Sequence, residues 1–248
     1  MVGQNKVGVD RFFIVLYRDN GMACPVLVTN KHVIDGAIQG GFWVTLGDGN
    51  GNPIYGEKRF MNFADFEKLW IKHPEHDVDL CILPIAPIHD EAEKRGDHLF
   101  YVPLEIDSIP KEEFVNSLSA IEDIVMIGYP NGIWDKVNNL PVFRKGITAT
   151  HPKMNYNGKA EFMIDAACFP GSSGSPVFMF RSGLFADGQG QIYEGTRGAF
   201  LGVLYAGPQH IANGNVAIPN NLGYVIKSHK ILDFVDIIKR EIKRTENK

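Results

Sequence analysis

In the stretch DAACFPGSSGSPVF, residues 165–178, two adjacent serines stand between glycines and lead into an apolar segment. Gly171 and Gly174 permit a tight, open backbone. Ser173 can then project its hydroxyl while the N–H groups of Gly171 and Ser173 converge on a developing oxyanion. The same composition also suits an ordinary Ser/Gly turn. A serine hydroxyl is a weak nucleophile unless a base takes its proton, and VLVTNKHVIDGA offers His32 where an apolar, β-branched run ends. A third group must accept the other imidazole N–H, fix the tautomer and stabilise the imidazolium. HPEHDVDLCILPI supplies both Asp77 and Asp79, the latter directly before an apolar run. Aspartates before strands are also common turn residues, so both stay open on the residues alone.

Rigid, short elements are needed to hold such groups. From residue 12 the apolar runs are brief (FFIVLY, CPVLVTN, GFWVTLG, DLCILPI, IVMIGYP, FMIDAAC, SPVFMF and FLGVLYAG), with turn signals such as RDNG, DGNGNP and YPNGI between them. This predicts an all-β chain. His32 and Asp79 fall in the first half and Ser173 in the second, the distribution that a cleft between two barrels requires. With 248 residues and 44% apolar side chains the chain can bury a substantial core, either as one large all-β domain or as two barrels of roughly 100 residues each. The expected organisation is a first barrel over residues 1–105, a second over 115–228, and a seam near 103–115. Residues 89–96 and 111–121 predict short surface helices. Ile231, Leu232, Val235, Ile238 and Ile242 recur at helical steps, predicting an amphipathic helix over 229–245 with Ser228 as N-cap, docked on the second barrel.

Five segments stand in one order: LVTNKHV, DVDLCIL, GYPNGIWDKVNNLPVFRKGITAT, DAACFPGSSGSPVF and FLGVLYAG. Through them the chain resembles a chymotrypsin-fold, trypsin-like serine peptidase from near residue 12 to near residue 226. In motif style it is nearest the HtrA-like and glutamyl-endopeptidase-like bacterial branches. The resemblance implies two packed six-stranded antiparallel β-barrels, a triad of His32, Asp79 and Ser173, and an oxyanion hole from Gly171 and Ser173. It also implies a pocket walled by Ala167, Cys168, Phe169, Tyr205, Ala206, Gly207 and Gly223. A polypeptide substrate would extend beside Tyr205–Gly207 through main-chain hydrogen bonds.

Departures from the family shape further expectations. Ala167 stands where trypsin-type enzymes carry a selecting aspartate, and Leu204 where glutamate-selecting relatives carry a histidine. A small or medium apolar side chain is therefore expected before the cut, with Asp165, Gln209 and His210 near enough in sequence to alter that. Neutral Ser172 stands where clipped zymogens carry an aspartate, so the oxyanion loop must be held another way. Ser172 itself is expected to point away and to tolerate alanine. Val33 replaces a bridging cysteine, which leaves Cys24 free. Two alternatives remain: a catalytically silent peptidase fold used as a binding module, and a peptidase kept latent until a regulatory protein partner engages it.

Composition removes other classes. A formal charge of −4 and a pI near 6.1, with scattered Lys and Arg, argue against nucleic acid as partner. FFIVLY is too short for a signal-peptide core or a membrane span, so no membrane role and a cytoplasmic location are expected. Three widely spaced cysteines fit free thiols in a reducing compartment. His73, His76, Asp77 and Asp79 read as a solvated turn rather than a metal site, and GDGNGNP, residues 47–53, as a turn rather than a calcium loop. No metal or organic cofactor is called for.

Overall fold

The computed structural model describes residues 6–8, 11–19, 22–186, 190–212 and 216–246. It is mostly β and divides into two compact units. One comprises Met1–Ile106, Gly132–Pro141 and Asp233–Lys248; the other comprises Asp107–Asn131 and Val142–Leu232.

The strands of the first unit are β1 (Lys6–Gly8), β2 (Phe13–Asp19), β3 (Met22–Thr29), β4 (Gln39–Gly47), β5 (Pro53–Ala64), β6 (Ile71–Lys72), β7 (Cys81–Pro84), β8 (Leu99–Phe100) and β9 (Leu104–Glu105). They form two sheets, one of order β1-β4-β5 with β8 also on β4, the other of order β6-β7-β3-β2-β9. Between β2 and β7, β3 is buried from Cys24 to Thr29, as a continuous apolar run requires when both faces are covered. Leu27 on β3, Phe42 on β4 and Leu83 on β7 join Phe66 and Trp70 in one core.

Among the described residues the six-stranded closure expected for this half is not seen: the strands form two sheets that meet through that core. Strands β6, β8 and β9 have two residues each, too short to carry a hydrogen-bonded ladder from sheet to sheet. The pairings of β1 with β4 and of β2 with β9 are parallel, where antiparallel strands were expected. A one-turn helix α1 (Lys31–Ile34) follows β3, and α2 (Ala86–Lys94) overlaps the predicted surface helix at 89–96, beginning three residues earlier and ending two residues earlier. The GDGNGNP segment is a turn: Asp48 accepts the main-chain N–H groups of Asn50 and Asn52 and the Asn52 side chain, which hold its carboxyl down at about 2.

In the second unit the short helix α3 (Glu112–Asn116) covers only part of the predicted helical segment. The strands are β10 (Asp123–Gly128), β11 (Val142–Thr148), β12 (Glu161–Asp165), β13 (Pro176–Ala186), β14 (Ile192–Ala206), β15 (Gln209–Ala212), β16 (Val216–Pro219) and β17 (Leu222–Lys227). Six of them close into a ring of order β10-β11-β12-β17-β14-β13, every pairing antiparallel. Ile124, Met126, Phe162, Ile164, Val177, Met179 and Val225 fill it. Each such burial contributes about 1.5–3 kcal/mol.

Residues Ser228–Phe234 form a 3-10 turn before α4 (Val235–Glu246), so Ser228 opens the 3-10 segment instead of capping the α-helix. The expected docking on the second half is also corrected, because the chain joins the first unit from Asp233 onward. There Phe234 is fully buried and meets the His73 ring edge-on, 5.1 Å between centroids. Ile231 and Ile238 are buried, Leu232 is exposed, and the side chain of Ile242 lies outside the described residues. Among the described residues no helix is long and apolar enough to cross a membrane.

Candidate active site

His32 is carried on α1, whose Val33 and Ile34 sink into the first unit's core while the His32 ring stays half exposed. Pairing of Thr29 with Cys81 brings the end of β3 beside the start of β7, and with it His32 beside Asp79. Asp79 grips that turn twice: Oδ2 lies 2.5 Å from His32 Nδ1, and Oδ1 accepts the His32 main-chain N–H at 3.1 Å. An ionised carboxylate only accepts. The proton therefore sits on Nδ1, and Nε2 is left as the basic nitrogen. Asp77 is exposed.

Three residues that the sequence reading passed over or misjudged brace this pair. Fully buried Asn30 donates its side-chain amide to the Asp79 carbonyl at 2.8 Å. Lys31 Nζ donates to the carbonyls of Glu75 and His76 at 2.9 and 3.2 Å, and burial pulls its pKa down. His73, expected in a solvated turn, has a fully buried ring. Its Nδ1 accepts the Glu75 N–H at 3.1 Å, which leaves Nε2 as the donor to Asp233, 3.2 Å away. The His/Asp run is thus buttressed by the chain leading into α4. Among the described residues no three His, Cys, Asp or Glu side chains are grouped so as to hold a metal ion.

In the second unit Ser173 lies between β12 and β13. Gly171 and Gly174 have φ of 91° and 81°, left-handed values that glycine alone adopts cheaply. Gly174 N–H donates to Leu204 O at 2.8 Å and Leu204 N–H to Ser175 O at 2.9 Å, which stitches the serine turn to β14. A bulge interrupts the β14–β17 ladder between Leu204 and Ala206, setting Tyr205 out of register. Ser173 Oγ donates to the Tyr205 carbonyl at 3.1 Å, and the Tyr205 hydroxyl donates to Glu161 Oε2 at 2.6 Å.

The Pro170 carbonyl accepts the Asn131 N–H at 2.9 Å. Since the peptide that follows is trans, the Gly171 N–H points away from Asn131. No described residue accepts it. Ser172, expected to point away unused, is buried, with Oγ accepting the Phe169 N–H at 3.2 Å and an Arg144 N–H at 3.1 Å.

A cavity of about 270 Å³ in this unit is lined by Cys168, Phe169, Ala206 and Gly207 from the expected wall, together with Ser173, Leu204, Gln209 and neighbours. Ala167, Tyr205 and Gly223 are not part of its surface. Gly223 stands behind it, where a Cβ would come within 2.7 Å of Cys168 Sγ. Asp165 and His210 are exposed and do not line the cavity, whereas Gln209 does. A larger cavity of about 390 Å³ opens near Lys227, at the other end of β17, and holds none of the candidate residues.

All three cysteines are free and buried. Burial raises the Cys168 thiol from 9.0 to about 11, with Arg144 opposing the rise and Asp165 adding to it. A group whose folded pKa is raised contributes stability that is fully present below its unfolded value and lost as pH climbs through the folded one. The melting temperature is expected to fall as pH rises from 9.0 to about 11, and to fall less in Cys168→Ala. Calorimetry across that range checks this; an unchanged slope in the variant would assign the loss elsewhere. Iodoacetamide at about pH 8 should leave all three thiols of the native protein unmodified.

Residues 14–185 match the trypsin-like peptidase domain family. The chain belongs to that family. Two similar solved structures are of Rv3671c. An inactive serine-to-alanine mutant from M. tuberculosis H37Rv is 15% identical, with 91% of this chain and 85% of that one covered and a TM-score of 0.39. An inactive form of the Rv3671c protease is 17% identical, with 92% and 90% covered and a TM-score of 0.39. No curated protein matches the chain. None of these matches singles out the HtrA-like or glutamyl-endopeptidase-like branch.

Proposed function

We propose that the chain is a serine endopeptidase that cuts polypeptides through an acyl-enzyme. The observation that carries this reading is the grip of Asp79 on His32, which leaves Nε2 basic. In the proposed reaction Nε2 takes the Ser173 proton as Oγ attacks the scissile carbonyl. The Asp79 carboxylate stabilises the imidazolium, and the N–H groups of Gly171 and Ser173 receive the oxyanion. The imidazolium then protonates the leaving amine, and a water activated by Nε2 releases the acyl group. The chemistry needs no metal or organic cofactor. Buried free thiols favour a reducing, cytoplasmic setting.

Selectivity follows from the cavity beside Ser173, whose lining carries no ionised side chain. A peptide library varied at the residue before the cut should show a graded preference for small or medium apolar side chains. One methylene should change kcat/KM by about 10–200-fold, and no strict requirement for Lys, Arg or Glu should emerge. A dominant charged preference would contradict this pocket assignment. Absence of any hydrolysis of denatured polypeptide would instead favour a silent binding module.

A further inference from the structure

Strand β11 turns Val142, Arg144 and Gly146 inward and Phe143, Lys145 and Ile147 outward. The Arg144 guanidinium lies against the segment leading to Ser173. Its Nη1 donates to the Ala167 carbonyl and its Nη2 to Ser172 Oγ, the latter at 3.1 Å. Because Ser172 Oγ also accepts the Phe169 N–H at 3.2 Å, both of its lone pairs are engaged. One cation thus closes a ring of hydrogen bonds around residues 167–172. Among the described residues no carboxylate forms an ion pair with it, and burial lowers its pKa. A guanidinium nevertheless stays charged at neutral pH.

A held loop matters here because Gly171, at φ 91°, lacks the Cβ that would resist rotation of the Pro170–Gly171 peptide. Asn131 fixes that peptide from one side through the Pro170 carbonyl. We propose that Arg144 is the positioning residue of the oxyanion loop, holding Ala167 and Ser172 by charge-assisted hydrogen bonds so that the Gly171 N–H keeps its orientation. This rests on the peptidase reading above. Such bonds are about twice as strong as neutral ones, so a neutral Ser172 suffices when its partner is a cation.

The test compares wild type with Arg144→Met, Arg144→Lys and Ser172→Ala for kcat and KM on a peptide substrate, labelling rate with a fluorophosphonate, and melting temperature. Arg144→Met should lower kcat about 10- to 100-fold, less than the roughly 10²- to 10³-fold cost of removing an oxyanion donor outright because the Gly171 N–H is misaligned rather than lost, while KM stays nearly unchanged. Arg144→Lys should recover part of the rate. Ser172→Ala should lose less than Arg144→Met, since the bond to Ala167 remains. Wild-type kcat in Arg144→Met overturns the proposal, and so does a rise in KM alone, which would make Arg144 a substrate-reading group. If Arg144→Met does not fold, wild-type kcat in both Arg144→Lys and Ser172→Ala overturns it equally. Wild type that neither labels nor cuts sinks the peptidase reading itself, a result distinct from either of these.

Discussion

Ser173→Ala should lower peptide hydrolysis by at least about 10⁴-fold, because the remaining oxyanion and binding groups cannot replace the nucleophile. The fold should survive. Within the second unit the substitution removes the hydrogen bond from the Ser173 hydroxyl to the Tyr205 carbonyl, and a neutral hydrogen bond contributes only about 0.5–1.5 kcal/mol. Steady-state kinetics together with calorimetry separate the two effects. A variant that keeps more than about a hundredth of the activity, or one that loses activity only by unfolding, would place the nucleophile elsewhere.

Asp79→Asn should be almost as damaging, with kcat lower by about 10⁴-fold. The amide keeps the shape of the carboxylate, but its NH₂ can face His32 Nδ1 only as a donor. That forces the proton onto Nε2 and leaves no base for Ser173. Rotated the other way, the amide oxygen keeps the tautomer but gives no charge to stabilise the imidazolium. Asp77→Asn, at an exposed position, should change kcat by less than about twofold, within the range of ordinary surface substitutions. Equal losses in the two variants would reverse the assignment. With the NH₂ facing Nδ1, the amide oxygen still accepts the His32 main-chain N–H, as Asp79 Oδ1 does at 3.1 Å, so the turn is retained and the loss is chemical.

The short apolar runs and their turns made the β character legible, and family motifs pointed to His32, Asp79 and Ser173. What escaped the sequence reading escaped for physical reasons. In VFRKGIT, Phe143 and Ile147 look like the inward face, yet they are 67% and 37% exposed. Gly146 decides the register, because a Cβ there would meet the Asp165 carbonyl and come within 2.8 Å of Ala166 Cβ. Alternation then turns Arg144 inward with it. Weighing the glycine above the phenylalanine would have found the arginine.

His73 misled in another way. Its neighbours Glu75, His76 and Asp77 are exposed, but the ring's partners, Asp233 and Phe234, come from the far end of the chain. No local pattern announces such a contact. The same distance in sequence hid the docking of α4. The bulge at Tyr205 had no signal at all in FLGVLYAG, since register is a property of the paired strand β17 as much as of β14. In the first unit, apolar runs showed where strands lie but not whether they close. That outcome turned on strands of two residues, below the length at which periodicity carries information.

Whether Ser173 is an activated nucleophile is read most directly from the site of a fluorophosphonate adduct on the native protein. Tandem mass spectrometry should place one adduct, on Ser173, within the peptide that spans the two serines. It should vanish in Ser173→Ala, and His32→Ala should slow its formation by orders of magnitude. An adduct on Ser172 or on another side chain, or no adduct on a protein shown by calorimetry to be folded, would contradict the account.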